Sequence, residues 1–137
     1  MMRNQLKNIL LLMIVLMGFC APCKAQLQVA DSSSVEFIIN ALRNGDADQL
    51  SELFNQRIEL LVNDHNSICS RKHAKRIMSA FFENHKPTSV YVVNNNVTDG
   101  SSNVIGSIIT EEGRFRLSFL TKQELNRQFI YQLTIEE

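Results

Sequence analysis

Three residues in the stretch HNSICSRKHAKRIMSAFF (65–82) could do chemistry together: His65, Cys69 and His73, which recur every four residues. That spacing stacks side chains on one face of a helix. Imidazole nitrogens and a thiolate are zinc ligands, and a histidine or helix N-terminus beside a cysteine can turn its thiol into a nucleophile. Both chemistries need one continuous helix. Ser70 is a strong N-cap, however, so the helix is expected to start after Cys69. Residues 64–66 suit a tight turn and residues 67–69 a short strand. The four-residue register therefore breaks between Cys69 and His73. Zinc would also want a further ligand, and Asp64 is the only convenient one. The reading is no metal site and no catalytic residue, with Cys69 a small side chain closing a strand.

A second group is more unusual. Arg71, Lys72, His73, Lys75 and Arg76 crowd the first turns of the same helix. A helix N-terminus already favours anions through its macrodipole and free N–H groups, so the cluster is a candidate site for a phosphate, sulfate or carboxylate. The plainer reading is a solvated face, because the apolar stripe Ala74, Ile77, Met78, Phe81 and Phe82 leaves those positions to water. A third group would line a pocket. Acid–base work across an apolar cavity wants a carboxylate facing a donor such as tyrosine. Glu59, Tyr91 and Tyr131 are the pocket candidates, the best mid-strand acid and the only two tyrosines. No acid–base pair announces itself among them.

The elements that must position these residues follow from periodicity. Residues 33–36 read as a capping box, and Val35, Ile38, Ile39 and Leu42 follow at one-face helical spacing up to Gly45. Asp46 opens a second short helix whose apolar set is Ala47, Leu50, Leu53 and Phe54. The period then changes to two, with Ile58, Leu60 and Val62 on one face of a strand. The basic helix follows, ended by Pro87. Four strands come after it: 89–97, a turn at Asp99-Gly100, 103–110, a three-residue turn at 111–113, 114–120, a loop at 122–127, and 128–136. In the last of these Phe129, Tyr131, Leu133 and Ile135 are expected on one side. Helices segregated from an antiparallel meander give an α+β domain. Ile105, Ile109, Leu120 and Ile130, on otherwise polar faces, leave room for a sheet-mediated dimer.

The N-terminus bounds the rest. MMRNQLKNILLLMIVLMGFCAPCKAQ has a basic start, an apolar run of roughly 11 residues and a small-residue close, the order of a secretory signal peptide. The run is short of the ~20 residues that span a bilayer. Cleavage after Ala25 leaves a short leader (26–34) and one domain (35–137). The expected location is the periplasm or the extracellular space, with no stable membrane insertion. Arg3, Lys7 and Lys24 leave with the signal, so 14 basic residues become 11 against 14 acidic ones, about −3. That balance excludes a general nucleic-acid binder. Two of the three cysteines also leave, and a single thiol excludes an internal disulfide framework.

The element order resembles the nuclear transport factor 2-like cone, a cystatin-like fold in which a curved sheet wraps three N-terminal helices. Four phrases, IINALRNGDADQLSELFN, CSRKHAKRIMSAFF, NVIGSIITEEGRFRLSFL and FIYQLTIE, together resemble a family of small exported bacterial proteins, domain of unknown function 4783. The resemblance runs from about Val35 to Glu136. It implies the cone fold and an export route, and no assigned activity, cofactor or catalytic residue. Fold alone does not choose a function. The expectation is an exported binding module, taking a small ligand in the cone or forming a homodimer through its sheet. The alternative is a hydrolase or isomerase using the same cavity.

Overall fold

A computed structural model describes residues 4–5 and 30–137. The signal-peptide reading otherwise lies outside the described residues. Among them, no helix is long and apolar enough to cross a membrane. The chain runs α1 (Ala30–Asn44), α2 (Ala47–Glu52), β1 (Phe54–Val62), β2 (His65–Ser70), α3 (Arg71–Asn84), β3 (Pro87–Thr98), β4 (Ser101–Thr110), β5 (Arg114–Glu124) and β6 (Arg127–Glu136). The α+β architecture is the expected one: helices followed by a curved, unclosed six-stranded sheet. Strand order is β2-β1-β6-β5-β4-β3. Antiparallel pairing holds for four of the five neighbouring strand pairs, while β1 and β6 run parallel. That parallel seam docks the β1–β2 hairpin onto the end of the meander.

Local chemistry sets the helix limits. α1 closes in a Schellman motif: the Gly45 N–H donates to the Leu42 carbonyl (3.2 Å) and the Asp46 N–H to that of Ala41 (3.0 Å). Gly45 sits at φ +62°, and a Cβ there would also press on Pro87 Cδ at 3.3 Å. Asp46 then caps α2, its carboxylate accepting from the Gln49 N–H. Ser70 caps α3 as expected, accepting from the His73 N–H at 3.3 Å. α1 begins at Ala30, so residues 33–36 lie inside the helix rather than at its start. Phe54 belongs to β1, where the strand takes its fully buried ring into the core; α2 has already ended.

The helices pack on the concave face. α1 lies along β3 and β4, and α3 against β1 and β2, with α2 between them. Ile38, Leu42, Leu50, Phe54, Ile58, Leu60, Met78, Ile108, Phe115, Leu117, Phe119 and Ile130 are among the fully buried side chains. Burying a residue of this size contributes about 1.5–3 kcal/mol, so this layer dominates the stability.

The strand register shifts between Phe54 and Glu59 and between Pro87 and Ser89, and two further bulges decide which side chains turn outward. Leu120 pairs with Gln132 and Thr121 with Ile130, so Tyr131 is an extra residue in β6. One inserted residue reverses the side-chain parity. Ile130, Leu133 and Ile135 are consequently buried, while Phe129 and Tyr131 are only half-buried, which divides the set expected on one side. The second bulge is in β3, where Val92 pairs with Gly106 and Asn94 with Ile105, leaving Val93 unmatched. The end turns are tight. Asp99-Gly100 (φ +47°, +75°) fits the expected turn, and Leu125-Asn126 (φ +48°, +63°) replaces the expected 122–127 loop with a two-residue hairpin.

Candidate functional site

The His65, Cys69 and His73 group is divided by the strand-to-helix junction. His65 and Cys69 share β2, and His73 lies on α3. Cys69 packs against the core as a partly buried side chain, while His65 and His73 are exposed. Among the described residues, no cluster of three histidine, cysteine or acidic side chains is placed to hold a metal.

The basic cluster is partly committed to holding the fold. Arg71 Nε donates to the Phe54 carbonyl at 2.9 Å, tying the start of α3 to the start of β1. Lys75 forms an ion pair with Asp48 of α2. Lys72, Lys75 and Arg76 do converge, with Ser79, Ala80 and Glu83, on an open cleft of about 370 Å³ along α3. The carboxylates of Asp48 and Glu83 neutralise part of its charge. Arg71 and His73 do not line it.

The pocket candidates are not brought together. Glu59 has the opposite parity to the buried Ile58 and Leu60, and it pairs with Ile68 and Gln132. Tyr91 lies four strands away on β3 and is exposed. Tyr131, turned outward by its bulge, donates its hydroxyl to the Glu124 carboxylate, with Lys122 Nζ 4.9 Å from its ring centroid. The hydrogen-bonded Glu124 carboxylate holds the Tyr131 hydroxyl above its ordinary value of 10.0, with lesser effects from burial and from the Glu124 charge.

Inside the cone, the described buried residues are the apolar core with Ser51, Ser102, Thr110, Thr121 and Gln128. Three of these polar residues gather on the concave face near the far end of the sheet. Thr121 Oγ1 donates to Gln128 Oε1 at 2.6 Å, and Ser102, the strand neighbour of Thr121, has an unpartnered, fully buried hydroxyl. Periodicity carries no signal for this polar group, because serine and threonine within a strand are usually exposed. His85 is a further unforeseen feature. Its ring sits against Phe81 and Phe115, with centroids 5.1 and 5.0 Å away. Its Nδ1 lies 3.5 Å from Glu112 Oε2, outside hydrogen-bond geometry.

The exposed apolar side chains are concentrated at one edge. Of the seven large ones among the described residues, Tyr91, Val92, Val93 and Val97 all stand on β3, the last strand of the sheet. Ile105, Ile109 and Leu120 are half-buried on the convex face, whereas Ile130 is fully buried on the concave one because of the β6 bulge.

The comparisons with known proteins agree with this architecture. A DUF4783 family protein from Bacteroides uniformis is 28% identical, covering 74% of this chain and 94% of its own, with a TM-score of 0.71. One from Bacteroides ovatus is 27% identical over 74% and 92%, with a TM-score of 0.70. A designed protein of the nuclear transport factor 2 type, 15% identical over 76% and 94%, superposes with a TM-score of 0.65, a likeness of fold alone. No curated protein matches the chain. The model of the domain of unknown function DUF4783 matches residues 35–136, and the chain belongs to that family.

Proposed function

We propose that this is an exported, non-catalytic interaction module that associates with a second copy of itself through its sheet. The observation that carries the reading is where apolar surface is hidden and where it is left. The cone is filled by its own side chains, from Val35 to Ile135, and among the described residues no acid, histidine or cysteine is fully buried in it; Cys69 and His85 reach the core only as partly exposed side chains, with no acid–base partner in hydrogen-bond geometry. Acid–base chemistry in the cone would need such a group. Exposed apolar surface instead collects on β3, and contiguous exposed apolar patches mark interaction sites. Export rests on the N-terminal charged, apolar and small-residue order.

Native mass spectrometry of the protein purified from its own host tests these points together. The expected species is a dimer whose chains begin at Gln26 and which retains no small molecule. A monomer holding a bound metabolite would replace this reading with ligand binding, and chains beginning at Met1 would remove the export step.

A further inference from the structure

We propose that the outer edge of β3 pairs antiparallel with β3 of a second copy, about a two-fold axis at Asn95, to give one continuous sheet of twelve strands. The inference rests on the self-association reading and specifies its surface.

Among the described residues, β3 is a long edge strand with one side of its backbone unpaired. Proteins blunt such edges with charges, prolines, short strands or a covering helix. Beyond Pro87, this strand has no charged residue and no proline through Thr98, and it is 12 residues long. The opposite edge, β2, is half that length at 6 residues. From Tyr91 onward every residue of β3 is exposed, so the helix layer no longer covers it. The pairing of β3 shifts once at its start, between Pro87 and Ser89, and beyond Ser89 only the bulge at Val93 interrupts the edge.

Self-complementarity selects the occupant. A two-fold interface must present one patch to itself, with residue i facing j and j facing i. Val93-Asn94-Asn95-Asn96-Val97 reads the same in both directions. With the axis at Asn95, Val93 meets Val97, Asn94 meets Asn96, and Asn95 meets its own copy. Valine pairs and asparagine ladders both stabilise neighbouring strands. An uncharged edge also lets two net-negative chains approach without local repulsion, whereas a charged foreign strand would find no complement there. The pairing consumes the edge it uses, so assembly stops at two.

The test is sedimentation velocity over a concentration series, using the exported protein and two variants, Asn95→Lys and Asn95→Asp. Asn95 is exposed, so both variants should keep the circular dichroism spectrum and melting temperature of the parent. The parent is expected to dimerise. Each variant places like charges face to face on the axis and should weaken the dimer by roughly tenfold or more. An equimolar mixture of the two should recover dimers, because lysine then faces aspartate. A dimer indifferent to either charge, or a mixture that stays monomeric, overturns the β3 pairing and leaves self-association by another face. A monomeric parent overturns both, including the case in which β3 accepts a strand from a different protein. Species larger than two also contradict it.

Discussion

The Tyr131 hydroxyl and the Glu124 carboxylate form a pair that can be read directly by titration. Ionising the phenol would break a hydrogen bond to an acceptor that is already negative, so the protonated form is favoured and the pKa rises. For a group whose folded pKa exceeds its unfolded value, the stabilisation is fully present below the unfolded pKa, here 10.0. It is lost as pH rises through the folded value. Phenolate absorbance in a Tyr91→Phe background isolates Tyr131, and the midpoint is expected above 10. Glu124→Gln should bring the midpoint back down, since the neutral amide no longer opposes the phenolate. An unchanged midpoint would mean the two groups do not interact in solution. Nothing in the sequence announced this pair, because it exists only where the β6 bulge turns Tyr131 outward, toward the β5 residues Lys122 and Glu124.

At the level of elements, the shape of the sheet depends on Gly106. A Cβ on this residue would lie 2.1 Å from the Tyr91 carbonyl oxygen and 3.2 Å from Val92 Cα, because the bulge presses β3 down onto β4. Its φ is not in the left-handed region; space is what requires glycine. Gly106→Ala should therefore cost about 1–3 kcal/mol, as overpacking does, measured as a lower denaturant midpoint with an unchanged slope. An unaffected midpoint would show that β3 can straighten freely. Bulges mark the boundary of what was legible here. Helices α1 and α3 and the hairpin at Asp99-Gly100 follow from spacing, caps and turn residues, so their existence could be read residue by residue. The outward turn of Tyr131 and the burial of Ile130 could not, because a bulge is one unmatched residue defined by its neighbour strand. The parallel β1–β6 seam was equally hidden, since it joins segments some seventy residues apart. Of the candidate site residues, Arg71, Lys72, His73, Lys75 and Arg76 lie on α3 at positions its buried stripe leaves free. Their loss to the Phe54 carbonyl and to Asp48 depends on which elements come to lie beside them.

The molecule as a whole is held together across that seam. The β1–β2 hairpin with α3, and the β3–β6 meander with α1, are joined by the pairing of β1 to β6 and by α2, which packs between the other two helices. Leu133 sits at its centre: it pairs with Leu60 on one side and Phe119 on the other, and all three are buried. Leu133→Ala removes contacts to both halves at once. The expected cost is about 2–5 kcal/mol, against a typical domain stability of about 5–15 kcal/mol. Because each half lacks a complete core of its own, the loss should move a single transition rather than divide it. Tyrosine fluorescence reports on the sheet through Tyr91 and Tyr131, and the chain has no tryptophan to obscure it. Far-ultraviolet circular dichroism is weighted toward the helices. In denaturant the two signals should fall together in the variant, at a lower midpoint than in the parent. If the fluorescence changed before the helical signal, the halves would be independent folding units, and the seam would be a docking contact rather than the middle of one core.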